Sequence, residues 1–168
     1  AAGKNDGSLN VIVNGQVPPG LYTIVLRSQA QVPYNRDPAA KQKPNVNVTQ
    51  HSAPLTLTVL PKELARLSLS SQSPAVKAGA QADLVVKVNR LHNYDGELKV
   101  EVVLPPNTKG VEVAGAVIPA GKDEVKLVVK VPAGTAPGGR NNLVVRATGT
   151  AYGHAIKHEV KFNVNVVK

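Results

Sequence analysis

The chain has no cysteine, no methionine and no tryptophan among its 168 residues, and it has one phenylalanine and four tyrosines. Without cysteine, disulfides, thiolate nucleophiles and thiolate metal sites are all excluded. So few aromatics leave little with which to stack sugars or bases, so specific nucleic-acid binding is not expected. No run approaches the roughly 20 apolar residues of a membrane-spanning helix, and none is expected. No segment shows a helical period either; 62–66 reads at most as one turn leading into a strand. There is no recognisable signal peptide and no initiator methionine, so Ala1 is expected to be a processing site or an expression boundary.

What remains is a valine-rich chain that is 42% hydrophobic and 18% charged, with 14 Gly and 13 Pro. That balance belongs to a folded protein, and valine runs punctuated by Gly and Pro favour strands and turns. The net charge of +9 is dispersed. Residues 1–61 carry five Lys/Arg against two Asp/Glu, and 62–168 carry fifteen against nine. A dispersed positive surface is ordinary for a solvated face, and it would attract anionic polysaccharide non-specifically.

The second half alternates with a period of two. Ala82, Leu84, Val86 and Val88 form one such series, and Leu98, Val100, Val102 and Leu104 another. Val125, Leu127, Val129 and Val131 form a third, and Ile156, Val160, Phe162, Val164 and Val166 a fourth. Such alternation predicts antiparallel strands with one wet face. Asn93-Tyr94-Asp95-Gly96, Leu104-Pro105-Pro106-Asn107, Ala120-Gly121 and Pro132 to Gly139 supply turns between them. Seven or eight strands from Leu64 to Val167 predict an all-β, antiparallel immunoglobulin-like sandwich over 62–168.

Residues 1–61 contain three strand candidates: Leu9–Val13, Leu21–Val32, and Val46 or Leu55 to Leu60. A weak internal repeat relates them to the second half. Asn10-Val11-Ile12-Val13, Val17-Pro18-Pro19-Gly20 and Tyr22 to Arg27 parallel Lys126 to Val129, Val131 to Gly134 and Asn141 to Arg146. In this register Ile24 and Leu26 fall on Leu143 and Val145. The segment 1–61 thus reads as the closing strands of a preceding unit, joined to 62–168 by Leu60-Pro61-Lys62-Glu63. Three strands cannot bury both faces of a sandwich, so their partners lie on the second domain, elsewhere in a parent protein, or on another chain.

Two stretches carry a family resemblance. Pro18-Pro19-Gly20-Leu21-Tyr22 resembles the approach to the penultimate strand of many bacterial Ig-like domains, where the tyrosine caps the sandwich edge; Asn141 holds that place in the second copy. Asn89 to Leu98, Leu104-Pro105-Pro106 and Val117 to Gly121 resemble Ig-like tandem repeats of the alpha-galactosidase-associated type, found in large secreted bacterial proteins, planctomycete ones especially. The resemblance implies an extracytoplasmic spacer or adhesion module whose partners are neighbouring domains of the same parent or another chain. It transfers no catalytic residue.

The residues that could carry chemistry have structural roles in the sequence pattern. His154 and His158 would share a metal on a helix, but on a strand they stand about 13 Å apart. His51 and His92 fall in expected loops. No Gly-x-Ser-x-Gly elbow is present, and Glu97, Glu101, Asp123 and Glu124 alternate outward beside lysines as cross-strand charge pairs. Asn5-Asp6-Gly7 and Asn93 to Gly96 offer too few carboxylates for calcium. No catalytic, cofactor or metal site is expected. The candidate interaction residues are Tyr34, Arg36, Lys41 and Lys43, in the long basic loop 32–45, together with Tyr94 and Tyr152. Two rival readings are a glycan-binding accessory domain of a carbohydrate-active enzyme and an assembly subunit completed by strand exchange.

Overall fold

The computed structural model describes residues 6–168, so Ala1 and Asn5 lie outside the described residues. Thirteen strands and no helix are found there. In chain order they are β1 (Gly20–Ile24), β2 (Arg27–Pro33), β3 (Asn45–His51), β4 (Leu55–Val59), β5 (Ala65–Leu69), β6 (Ala75–Lys77) and β7 (Gln81–Arg90). There follow β8 (Leu98–Val103), β9 (Glu112–Val113), β10 (Ala116–Ile118), β11 (Glu124–Lys130), β12 (Gly138–Ala151) and β13 (His154–Val167). The chain divides into two units, Ala1–Leu60 and Pro61–Lys168.

The second unit is an antiparallel β-sandwich. One sheet has the order β5-β7-β11-β9 and the other β10-β8-β12-β13-β6. In immunoglobulin lettering these are A-B-E-D and C-F-G with short additional edges. The final edge, β6, runs parallel to β13, with Val76 opposite Val166. The alternation in the sequence is the alternation of burial. Leu84, Val86, Leu98, Val100, Leu127, Val129, Leu143, Val145, Phe162 and Val164 are all buried, and Phe162, the only phenylalanine, lies among the valines.

The unit has nine strands where the sequence suggested seven or eight. The extra elements are β9 and β10, two and three residues long. Between β8 and β11 the chain crosses to the far sheet for β9, then returns to pair β10 with β8 before crossing again. Strands this short hold no complete period, so sequence alternation cannot mark them.

In the first unit a single long hairpin replaces the expected three strands. β1 pairs with β4, from Gly20 opposite Val59 to Ile24 opposite Leu55. β2 pairs with β3, from Arg27 opposite His51 to Pro33 opposite Asn45. The stretch 21–32 is therefore two strands with a break. Two residues, Val25 and Leu26, face three, Ser52 to Pro54, which is the two-against-one offset of a bulge. Pro54 has no N–H for the ladder, and Ser52 closes the gap with both its groups. Its Oγ accepts from the Leu26 N–H at 3.0 Å, and its N–H donates to the Leu26 carbonyl at 2.8 Å. Both alternatives for the last strand are realised, and His51 ends β3, so it does not sit in a loop. Residues 9–13 form no strand.

Candidate functional site

The loop 34–44 is the tip of this hairpin. Tyr34 N–H donates to the Pro44 carbonyl at 3.0 Å, and the Asn35 side chain donates to the Gln42 carbonyl at 2.9 Å. Asn35 and Asp37 then accept from the N–H groups of Asp37 and Ala39, short Asx bonds that organise a loop otherwise rich in Pro. Tyr34, at 57% exposure, stands at the end of the outgoing arm, and Arg36, Lys41 and Lys43 lie on the same tip.

Tyr152 occupies the corresponding place in the second unit. It follows the last residue of β12, sits in the two-residue turn before β13 with φ of 50°, and is half exposed. Each hairpin therefore presents one exposed tyrosine directly after its outgoing strand. Tyr94 departs from this pattern. Expected to be an exposed loop residue, it is half-buried. Its hydroxyl donates to the Glu97 carbonyl at 2.8 Å and accepts from the Thr150 N–H at 3.3 Å. A ring pinned at both lone pair and proton is a brace between β12 and the loop before β8.

That loop is held by a residue that sequence reasoning passed over. Arg90, at the end of β7, donates to the carbonyls of Gly96 (2.6 Å), Lys122 (2.6 Å) and Pro119 (3.1 Å), and its Nε pairs with Asp123 at 3.1 Å. Its guanidinium also lies 5.8 Å from the centroid of the Tyr94 ring, within cation–π range. One planar fork thus ties the β7–β8 connection to the β10–β11 connection. In the first of these the positive φ values fall on His92 and Asn93 (53° and 54°) and not on Asp95 or Gly96. Gly149 on β12 makes room for the arrangement. A Cβ there would lie 2.8 Å from the Tyr94 hydroxyl and from Leu98, and 2.9 Å from Leu64. Arg140 does similar work elsewhere, donating to the carbonyls of Lys109 and Ala136.

The histidines stay apart. His154 is exposed beside the β12–β13 turn, whereas His158 is buried, 7% exposed, and its Nε2 accepts from the Leu64 N–H at 3.2 Å. Burial lowers the His158 pKa below its usual value, and the nearby Glu63 carboxylate opposes this only in part. The ring is therefore neutral and serves as an acceptor between β13 and the segment leading into β5. An open groove runs past it, lined by Glu63, Arg66, Lys157 and Glu159 among others.

Of the four acidic residues expected to pair with lysines across strands, only Glu124 does; Glu101 and Asp123 meet arginines instead, and Glu97 forms no ion pair among the described residues. Arg146 bridges Glu159 (2.8 Å) and Glu101 (3.4 Å), Lys126 meets Asp83 (2.9 Å), and Lys87 meets Glu124 (4.0 Å). Among the described residues, no three His, Asp or Glu side chains gather as a metal site would require.

The two units carry comparable hairpins in different surroundings. Leu143 faces Phe162 and Val145 faces Val160 across the β12–β13 pair, inside the sandwich. Ile24 faces Leu55, Ala30 faces Val48 and Val32 faces Val46 across the first hairpin, yet Leu55, Val48 and Val32 are about 40% exposed. From within β1 the Tyr22 hydroxyl donates back to the Pro18 carbonyl at 2.8 Å. That bond, back to a carbonyl four residues upstream, has the form of a tyrosine corner. In the second unit Asn141 holds that place, and the next residue, Asn142, takes a φ of 59° within a register shift, its N–H donating to the Asn163 side chain.

No family model matches the chain, and no curated protein matches it. Among solved structures it is similar to domains 4 and 5 of the S-layer protein SbsC, at 18% identity and a TM-score of 0.45, over 86% of this chain and 77% of that one. It is also similar to the structure of SbsC domains 1–6, at 18% identity and a TM-score of 0.44, where it spans only 20% of that chain.

Proposed function

We propose that the chain is a non-catalytic structural and interaction module from a tandem array of Ig-like domains in a larger secreted or cell-surface bacterial protein. The first unit supplies the closing strands of one domain and Pro61–Lys168 the whole of the next. The observation that carries this reading is the correspondence of the two hairpins. Each follows a Val-Pro-x-Gly turn, each buries or offers the same phase of apolar residues, and the first begins with a tyrosine-corner bond. Repetition of one supersecondary unit along a chain is the signature of an array. In the complete unit, polar side chains such as Arg90 and His158 are spent on holding loops and strands together. An antibody against residues 61–168 should label intact cells that make the parent protein. Labelling that requires lysis would overturn the extracytoplasmic reading.

A second reading, binding of anionic polysaccharide, is favoured by the two tip tyrosines. Tyr34 is exposed beside Arg36, Lys41 and Lys43, and Tyr152 is exposed on the other tip. An aromatic face next to cations suits an acidic sugar. On a glycan array this reading requires saturable, salt-sensitive binding that is lost in the Tyr34→Ala, Tyr152→Ala double variant.

A further inference from the structure

Residues 9–13 show what the first unit lacks. By the internal repeat, Val11 and Val13 correspond to Leu127 and Val129, which are buried at the centre of β11. β11 is a strand because it has neighbours: a seven-residue ladder to β7, from Glu124 opposite Lys87 to Lys130 opposite Gln81, and a second to β9. Residues 9–13 have the same alternation and no ladder. Val11 and Val13 are about half exposed, and Ile12, in the outward phase of Val128, is 91% exposed. A β-pattern without a neighbouring strand has nowhere to send its N–H and C=O groups except water.

We infer that residues 9–13 and the apolar face of the first hairpin form one acceptor site for β-strands of the β5–β10 kind, supplied by a preceding segment of the same polypeptide. The inference rests on the tandem reading above and names its partner. A β7-like strand would pair antiparallel with residues 9–13, and the sheet so made would cover Ile24, Val32, Val48 and Leu55. The second unit shows this geometry completed, since its hairpin face is covered by the sheet containing β7 and β11. Chain order selects the source. The matching elements β11, β12 and β13 are the last three strands of their unit, so the complement of an equivalent set comes before it in sequence. A second copy of the chain is a poor donor, because its β7 already pairs on both edges, with β5 and with β11. A tethered segment also gains from high effective concentration.

The test joins a second copy of Pro61–Asp123 directly ahead of Ser8 in the otherwise intact chain and follows amide hydrogen exchange. In the unmodified chain the amides of 9–13, 20–33 and 45–59 should exchange quickly. In the extended chain they should slow by at least about 100-fold, the protection expected of a cooperatively folded sandwich. Val11→Asp with Val13→Asp should restore fast exchange there while residues 61–168 of the original unit stay protected. Unchanged exchange in the extended chain would overturn the inference. So would protection that rises with concentration in the unmodified chain, which would identify a second copy as the occupant. Neither result bears on cell-surface labelling, so a failure here is separable from a failure of the surface reading.

Discussion

Two hairpins with the same apolar phase have different fates in this chain. In the second unit, β12 and β13 bury Leu143, Val145, Phe162 and Val164 against a second sheet. In the first, Leu55, Val46 and Val48 remain more than a third exposed. The comparison teaches that alternation specifies which side of a strand is apolar, not that the side is covered. Covering it takes another sheet, and the hydrophobic gain scales with the area that sheet removes from water. A two-stranded hairpin alone is marginal for that reason.

The largest expected effect breaks the comparison at matched positions. Leu143→Asp places an unpaired carboxylate in a closed core and should cost more than about 4 kcal/mol, unfolding the second unit. Ile24→Asp, its counterpart on the half-open face, should change the second unit's unfolding free energy by less than about 0.5 kcal/mol. Equal effects in chemical denaturation would mean that the two hairpins do not differ in the way described.

A smaller effect sharpens the contrast by removing a device that only a complete sandwich can use. Arg90→Ala deletes charged hydrogen bonds to Gly96, Pro119 and Lys122 and leaves Tyr94 without its cation. The cost should be about 2–3 kcal/mol to the second unit. Arg90→Lys should recover only part of it, since an ammonium cannot reach two loops at once as a planar fork does. Full recovery in thermal denaturation would reduce the role of Arg90 to charge.

The smallest effect is a pH dependence. His158 is held below its unfolded pKa, so the folded unit favours the neutral ring. Its contribution is present above the unfolded value, about 6.5, and is lost as pH falls through the lower folded value. A protonated ring can no longer accept from Leu64 N–H, and of the charges lining the groove beside it Glu63 and Glu159 would favour that proton while Lys62, Arg66 and Lys157 oppose it. The melting temperature of the second unit should therefore fall below pH 6.5, and His158→Gln should flatten that slope. An unchanged slope in the variant would assign the acid sensitivity to the carboxylates.

Particular residues show where sequence reading succeeds and stops. Leu84, Val86, Leu127 and Val129 were readable because a strand with one wet face writes its burial directly into alternate positions. Val11 and Val13 have the same pattern, but a strand is a property of a pair, and no partner is near them in the described residues. The break at Leu26 depends on an extra residue in the opposite arm, 26 positions away, so neither arm announces it alone. Nothing local marks the roles of Arg90 and His158, because Arg90 joins its own loop to residues 29 to 33 positions away and His158 accepts from a residue 94 positions away.

By itself, then, the sequence determined an all-β chain, the inward phase of its long strands, the exclusion of cysteine chemistry, and a repeated apolar hairpin. Those features are local, since each needs only side-chain period and turn chemistry within a few residues. Tertiary structure alone decided that β9 and β10 exist, that Arg90 clamps two connections, and that Tyr94 is a brace. It also decided that one hairpin face is covered while the other stays partly exposed. Each of these depends on which distant segments meet, because backbone hydrogen bonds and apolar surface are satisfied only by a partner that the local pattern does not name.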